Sequence, residues 1–377
     1  MKIIISADLV PTQSNYELFE KADTVELFGE KIIDELKSAD IRIFNLEVPL
    51  YDGHTPITKA GPVIKIPSSA FVGIKALEPS LLSIGNNHIL DHGEKGLQST
   101  VEILSSNEIS FVGAGKDLSE AKKPYIFERG GKKIGVYSCA EHEFSIATEN
   151  SAGANPFDPL YSLDEIAELK SQVDFVIVLF HGGRELYRYP TPMQQKRCRR
   201  MIEKGADLVV CQHSHCVGCE EKYKGGTIVY GQGNFIFDYR NDKEWETGML
   251  VEIEFSENND TIVSYFPFNK AENKVRADES GEILRGFEER SAQILEEGFV
   301  EDRFSQEADK NLFWLLQGLL GKIGRTFVFK AINKIFKHKF IFKFYTKGNY
   351  LGAVNHMECE THRELFLQGL KNKIRGK

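Results

Sequence analysis

The stretch LLSIGNNHILDHG, residues 81–93, decides the fold that the sequence predicts and the place of its functional site. Its apolar start, residues 81–84, is typical of a short buried strand, and Gly85 ends that strand. Two amides, an imidazole and then a carboxylate follow in residues 86–91. Packing explains polar side chains at this position poorly, whereas open α/β sheets bind ligands beyond the carboxyl ends of their strands. The stretch therefore predicts a ligand site at a strand end.

Four other apolar runs predict strands that end in the same way. They are residues 2–6, 41–44, 175–180 and 207–211. The side chains that follow them are Asp8, Glu47, His181, and His213 with His215. Together with Asn87 and His88 of the first stretch, they place ligand-type groups at five strand ends. We expect His213 and His215 to alternate along an extended segment and to share one face of it.

This mixture of side chains favours a transition-metal site. Carboxylate, amide and imidazole together suit Mn, Fe or Zn, whereas calcium prefers shells made of oxygen. Two metals about 4 Å apart would clamp the attacking and leaving oxygens of a displacement at phosphorus and lower the pKa of a bridging water. Each residue alone has an ordinary structural interpretation, such as a turn former at Asp8 or a core histidine at His181. Their joint occurrence at five strand ends favours the metal.

Composition and charge narrow the class of protein. The 377 residues allow one large domain, or one domain with an appendage. A net charge of −8 argues against a nucleic-acid partner. The six cysteines lie scattered through predicted core elements, which suggests reduced thiols in the cytosol. One CxxC pair, Cys216 and Cys219, is a weak signal for zinc or redox chemistry because no second pair lies nearby.

The chain starts directly in a predicted strand, without the apolar region of a signal peptide. No apolar run reaches the roughly 18 residues that span a bilayer. We therefore expect a cytoplasmic protein without a signal peptide or transmembrane helix.

The character of the sequence changes near residue 270. Residues 271–310 contain 12 Asp or Glu against 6 Lys or Arg, and residues 320–347 contain eight Lys or Arg and no acid. We predict a main domain over residues 1–270 and a mostly helical C-terminal extension over residues 271–377, basic around 320–347. Its apolar and basic residues from 313 to 343 fit one amphipathic helix, which would lie on an anionic membrane surface or pack on the main domain.

Within the main domain, helix-like spacing over residues 13–38 predicts a helix. The Gly- and Pro-rich loop of residues 49–67 is predicted to face the substrate.

Six motifs in order resemble the CapA family, the poly-γ-glutamate capsule biosynthesis proteins related to calcineurin-like metallophosphoesterases. They are Asp8; Asn45-x-Glu47; Asn86-Asn87-His88-x-x-Asp91-x-Gly93; His181-Gly-Gly-x-Glu185; His213-Ser-His215; and Gly233-Asn234-Phe235-Ile236-Phe237-Asp238. The resemblance covers residues 1–255 and is specific, because the motifs recur in the same order. It implies an α/β fold: a layered α/β/β/α metallophosphoesterase-like sandwich, here with an added helical C-terminal region.

The resemblance also implies a role for each matching residue. Glu47 would bridge two metals, or serve one. The ligands of one metal would be Asn87, His181 and His213, and those of the other Asp8 and His215. His88 would be the general acid, and Asp91 would either orient His88 or cap the next helix. Glu185 would act in catalysis or contact the substrate. Supporting or substrate-contacting groups would be Asn45, Asn86, Arg184 and Asn234.

Two departures from the family pattern bear on the metals. Val10 stands where the phosphoesterase pattern has a histidine, and Glu47 stands where an aspartate is usual. A site with one metal therefore stays open beside a site with two. Many family members also carry an N-terminal membrane anchor that this sequence does not begin with.

The expected function is a metal-dependent hydrolase, phosphoesterase-like, in the biosynthesis of a capsule or a cell-surface polymer similar to poly-γ-glutamate. Its partners would be that polymer or its precursor, and a membrane surface or membrane synthase reached through the basic region. Its location would be cytoplasmic, with peripheral contact at the inner membrane face. The alternative is a non-catalytic scaffold of a capsule synthesis complex that binds the polymer or a partner.

Overall fold

The computed structural model of the protein describes residues 1–256 and 261–374. The chain divides into two compact units, Met1–Val300 and the described residues from Glu301 onward. The first unit contains the strands. They are β1 (Lys2–Leu9), β2 (Ile41–Leu46), β3 (Leu81–Ser83), β4 (Ser110–Val112), β5 (Ala114–Gly115), β6 (Tyr125–Arg129), β7 (Lys132–Ala140), β8 (Gly153–Ala154), β9 (Phe175–His181), β10 (Leu208–Gln212), β11 (Glu220–Tyr223), β12 (Gly226–Tyr230), β13 (Asn234–Ile236), β14 (Thr247–Phe255), β15 (Thr261–Ala271) and β16 (Lys274–Ala277).

The helices are distributed over both units. They are α1 (Tyr16–Glu20), α2 (Thr24–Ser38), α3 (Phe71–Ala76), α4 (Gly93–Ser106), α5 (Leu118–Ala121), α6 (Ser162–Lys170), α7 (Pro192–Glu203), α8 (Glu282–Gln293), α9 (Phe299–Leu319), α10 (Lys322–Arg325), α11 (Phe327–Ile335), α12 (Lys347–Glu358) and α13 (Glu360–Ile374). Two 3₁₀ turns, Ser68–Ala70 and Phe340–Phe344, complete the regular structure of the described residues.

Two large sheets form the body of the first unit. In one, the strand order is β16-β15-β14-β1-β2-β3-β4, with β13 also paired to β1. Strands β1 to β4 run parallel, while β14 runs antiparallel to β1. In the other sheet the order is β11-β12-β10-β9-β7-β6, with a parallel centre of β7, β9, β10 and β12. Parallel centres bring the carboxyl ends of several strands to one edge of each sheet.

The alternation of side chains along β1 shows how the layers pack. Ile3 and Ile5 belong to the apolar cluster that also contains Ile177 and Val210 of the second sheet, so this cluster lies between the sheets. Ile4 points to the opposite face and joins the cluster that contains residues of α2 and α4. On the other outer face, α6 and α7 share a cluster with β9 and β10. The predicted α/β/β/α sandwich is therefore confirmed, and so is the helical C-terminal region.

The first unit is longer than the domain that the sequence predicted. The sequence put the boundary near residue 270, but β16 extends the first sheet beyond β15. Helix α8 then buries Phe287 in the cluster between the sheets. Its Arg290 donates to the carbonyl of Gly218 at 2.7 Å. The burial of Phe287 and the charge-assisted hydrogen bond of Arg290 attach α8 to the first unit, although the composition of this segment is typical of a solvated linker.

Two predicted helices are interrupted. The helix expected over residues 13–38 forms α1 and α2, and Gly29 breaks the helical geometry of α2 with a φ of 75°. The prediction of a single basic helix over residues 313–343 is wrong. Gly321 caps the short α10, Thr326 caps α11, and the segment ends in the 3₁₀ turn Phe340–Phe344. A small core of Leu316, Phe329 and Ile341 holds these pieces together. Among the described residues, no helix combines the length and the apolar character that crossing a bilayer requires.

Candidate metal centre

The strand ends of the two sheets meet at one group of buried polar side chains. Asp8 lies at the end of β1, and Glu47 follows β2 directly. His181 is the last residue of β9, and the His213–His215 segment follows β10. All of these side chains are at most 6% exposed, so they lie in the interior rather than on a surface loop.

Glu47 is the centre of this group. Its side chain is fully buried, and neither carboxylate oxygen accepts a hydrogen bond from any residue that the structure describes. Its Oε1 lies 3.3 Å from Nε2 of His181 and 3.7 Å from Nε2 of His215. Burial, followed by the neighbouring charges of Asp8 and Glu185, raises the pKa of Glu47 well above its usual range. A buried carboxylate without donors is costly unless a cation compensates it.

The donor set around Glu47 fits a divalent cation. Ligand atoms of Glu47, His213 and His215 all lie within 4.8 Å of one another. Nδ1 of His213 and Oδ1 of Asn45 are also buried without a hydrogen-bond partner among the described residues. Buried polar atoms are ordinarily paired, and unpaired acceptors that converge on one space indicate a missing positive group. Imidazole and carboxylate are the ligands that Mn, Fe and Zn accept.

Asp8 lies on one side of this space. Its Oδ1 accepts a hydrogen bond from Asn45 at 2.7 Å, and its Oδ2 accepts one from the backbone N–H of His213 at 3.2 Å. Oδ2 also lies 3.3 Å from Nδ1 of His215. Burial by itself raises the pKa of Asp8, but the hydrogen bonds and charges of its neighbours outweigh it and hold that pKa below the usual value. Val10, in the position of the absent histidine, belongs to the apolar core.

Asn87 and His181 lie on the other side. Nε2 of His181 lies 3.1 Å from Oδ1 of Asn87, and the amide of Asn87 donates to Glu143 at 3.0 Å. Burial, and then the charge of His213, lowers the pKa of His181 well below its usual value. A neutral imidazole is the form that binds a metal.

The segment from His213 to His215 differs from the sequence prediction. Strand β10 ends at Gln212, and the two histidines have φ values of 86° and 52°. They do not alternate along an extended strand. Instead a left-handed turn, unfavourable for residues other than glycine, brings both imidazoles toward Glu47. The hydrogen bond from the His213 backbone to Asp8 helps to hold this turn.

His88 belongs to a second group beside the first. Its Nδ1 lies 2.6 Å from Oδ2 of Asp91, and Oδ1 of Asp91 accepts from Lys59 at 2.5 Å. Asp91 also accepts a hydrogen bond from the backbone N–H of Ile64. None of these three contacts of its carboxylate is with the helix that follows. His92 is the N-cap residue of that helix, and its side chain makes no capping hydrogen bond. Of the two roles open for Asp91, the contacts favour the orientation of His88.

The remaining predicted residues hold or border the group. Asn86 donates to the carbonyl of Leu46 and accepts from the backbone of His88, so it shapes the turn after β3. Oδ1 of Asn234 lies 2.9 Å from Nδ1 of His215. Glu185 is half-buried and contributes to the raised pKa of Glu47, while Arg184 is exposed on the same loop.

Sequence reasoning missed three residues of the site. Lys59 has a side chain that is only 2% exposed, and the ring of Trp245 lies 4.3 Å from that of His215, tilted by 39°. Glu143 is the acceptor for Asn87. Of the three, only Lys59 could have been suggested by the sequence, because it lies in the loop of residues 49–67, which was predicted to face the substrate. The other two follow segments without periodicity.

The CxxC pair is not part of the ligand cluster of Glu47, His213 and His215. Cys216 and Cys219 are free and buried, and burial raises the pKa of the Cys216 thiol to about 11. Burial also raises the pKa of Cys219. Thiols of this kind are poor metal ligands and poor nucleophiles.

Comparison with known proteins gives one family and several relatives. The family model described as "Bacterial capsule synthesis protein PGA_cap" matches residues 2–239. A capsule biosynthesis protein CapA of Bacillus anthracis is 28% identical over 244 residues, covering 62% of this chain and 59% of that protein. A PGA biosynthesis protein CapA of Bacillus subtilis is 33% identical over 168 residues, covering 44% of each. The chain thus spans about half of the length of these relatives.

Solved structures with a similar course of the backbone include two proteins of low sequence identity. A phosphatase from Mycoplasma pneumoniae is 14% identical with a TM-score of 0.45, covering 76% of this chain and 96% of that one. A 5′-nucleotidase precursor from Thermus thermophilus is 14% identical with a TM-score of 0.38, covering 74% of this chain and 54% of that one.

Proposed function

Because the chain belongs to the family of bacterial capsule synthesis proteins known as PGA_cap, we propose that it is a metal-dependent hydrolase with phosphoesterase-like chemistry. It acts in the biosynthesis of a capsule or of a cell-surface polymer similar to poly-γ-glutamate. The names of its relatives, which concern capsule and PGA biosynthesis, support this setting. Its proposed location is cytoplasmic, with peripheral contact at the inner membrane face. The six free cysteines, five of them buried, are typical of a reducing compartment.

The observation that carries the proposal is the uncompensated carboxylate of Glu47 among imidazoles. One or two divalent metals, Mn, Fe or Zn, would be held there. The proposed ligands are Asp8, Glu47, Asn87, His181, His213 and His215. A divalent ion in such a site supplies positive charge for a developing oxyanion and lowers the pKa of a water that attacks the substrate.

His88 is the proposed general acid. The carboxylate of Asp91 engages its Nδ1, which leaves Nε2 to exchange a proton with the leaving oxygen of the substrate. Lys59 donates to the same carboxylate and so fixes the acceptor that orients the imidazole. Glu185, at the border of the group, is proposed to contact the substrate.

The first test is the metal content of protein purified without chelator, measured by mass spectrometry for the parent and for His181→Ala. His356→Ala, which removes an exposed imidazole from α12, is the matched control. We expect one or two metals per chain in the parent and the control, and a loss in His181→Ala together with loss of hydrolysis of bis(p-nitrophenyl) phosphate. Equal metal content in all three proteins would refute the site.

The second candidate is a scaffold that binds the polymer or a partner without catalysis. Val10 favours it, because the Asp8 side of the site lacks a histidine and has a core valine in that position. Stoichiometric metal with no turnover of phosphoester or γ-glutamyl substrates would favour the scaffold. Turnover that follows the metal content would exclude it.

A further inference from the structure

The second unit has an exposed surface on α11 that combines large apolar side chains with lysines. Phe329 and Asn333, one turn apart, are buried and mark the inner side of this helix. Phe327, Val328 and Ile335 are 85%, 65% and 76% exposed. Val328 and Ile335 are seven residues apart and therefore lie on the same side of the helix, away from the buried pair. Lys330 and Lys334 are exposed within the same two turns. We call this set the α11 outer face.

The segments next to α11 also combine exposed apolar side chains with basic residues. Ile323 and Phe336 are also more than half exposed. From residue 320 to 347 there are eight Lys or Arg and no acid, in a protein whose net charge is −8. Large exposed apolar side chains of this kind mark surfaces that meet a partner. Because residues 320–347 carry basic side chains and no acidic ones, a negatively charged partner is indicated.

We infer that the α11 outer face docks on the surface of an anionic lipid bilayer. Lysines beside large apolar side chains are what an interfacial helix requires, because the apolar groups enter the boundary of the acyl chains while the ammonium groups stay among the head groups. A soluble polyanion would neutralise the lysines but would leave Phe327 and Ile335 in water. The inference rests on and deepens the proposed contact at the inner membrane face. It is independent of the metal centre, because none of the residues that carry it belongs to the first unit.

The test is flotation of the full chain with vesicles of phosphatidylcholine, with and without phosphatidylglycerol. We expect binding to the anionic vesicles alone, weakened by added salt. The variant Lys330→Glu, Lys334→Glu, Lys337→Glu should lose at least about tenfold in affinity, since each basic residue near an anionic surface contributes about a factor of five. Its matched control reverses three exposed lysines of the first unit: Lys37→Glu, Lys116→Glu and Lys123→Glu.

A second pair of variants tests the apolar contribution. Phe327→Ser with Ile335→Ser should lower binding to anionic vesicles, whereas Leu160→Ser with Ile262→Ser, exposed apolar residues of the first unit, should not. Because all four side chains lie in water, the circular dichroism of these variants should match the parent. Equal loss in both pairs, or equal binding to neutral vesicles, would overturn the inference. It would also be overturned if soluble polyglutamate bound equally well to the parent and to the Phe327 and Ile335 variant while vesicles bound neither.

Discussion

At the scale of single residues, Glu47 illustrates how an unfavourable environment indicates a function. A carboxylate buried without hydrogen-bond donors destabilises the folded chain, and its raised pKa is the signature of that cost. A bound cation would offset this free-energy cost by neutralising the charge of the carboxylate. Folding and metal binding should therefore be coupled through this side chain.

The variant Glu47→Gln tests this coupling. The amide has the same shape without the charge, so the metal-free variant should be as stable as the metal-free parent or more stable, by about 1–2 kcal/mol. Added Mn or Zn should raise the unfolding midpoint of the parent and leave that of the variant almost unchanged. Urea unfolding with and without EDTA measures both. Equal stabilisation of the two proteins by metal would contradict the role of Glu47.

Lys59 is the second residue whose contacts lead to a prediction. Lys59→Met keeps the aliphatic stem and removes the ammonium that Asp91 accepts from. We expect kcat for bis(p-nitrophenyl) phosphate to fall about 10–100-fold, as for other groups that orient a catalytic side chain, with the metal content unchanged. Lys65→Met is the control in the same loop, because that ammonium donates to a backbone carbonyl at 3.1 Å. An unchanged kcat, or loss of metal, would exclude a positioning role for Lys59.

At the scale of elements, short interruptions of regular structure place the side chains. The left-handed turn after β10 directs two histidines inward, and Gly29 bends α2 so that both halves cover the sheet. A backbone with a φ of 75° and a ψ of 155° costs a residue with a Cβ atom about 1–3 kcal/mol, so glycine is favoured at Gly29. Periodicity alone does not reveal such breaks.

Substitution of Gly29 measures that cost. Gly29→Ala should destabilise the first unit by about 1–3 kcal/mol, because φ is 75° and the added Cβ would lie 3.1 Å from Cδ of Arg276. Gly352→Ala, inside α12 with no atom within 4 Å of an added Cβ, should not destabilise and should favour the helix. Thermal unfolding followed by circular dichroism compares the two. A neutral effect at Gly29 would mean that α2 tolerates a regular helix there.

At the scale of the whole molecule, the first unit is completed by residues that composition assigned to the extension. Strand β16 buries Val275 beside the outer helices, and α8 buries Phe287 between the sheets. Both lie beyond residue 270. The folded unit should therefore require them.

Two truncated chains test this boundary. Residues 1–300 should unfold in one cooperative transition. The free energy of unfolding of residues 1–270 should be lower by at least about 3 kcal/mol, the contribution of two buried apolar side chains. Urea unfolding followed by intrinsic fluorescence gives the comparison. Equal stability of the two chains would place the boundary near residue 270 after all.

The amino-acid sequence predicted the central buried strands and the residue types at their ends, and its resemblance to a known family implied the layered class of the fold. Apolar runs specify buried strands locally, and their carboxyl ends carry side chains whose chemistry is independent of packing. Asp8, Glu47, His181 and His215 could be grouped on that ground alone.

Which of these side chains meet, and which contacts hold them, follows from long-range packing that the sequence pattern does not show. Lys59 and Asp91 are 32 residues apart, and Asn87 and Glu143 are 56 apart. Such contacts depend on how aperiodic loops fold back over the strand ends, which no local pattern encodes. The turn of the two histidines and the burial of α8 have the same origin, since long-range packing there outweighs the local preferences of the chain.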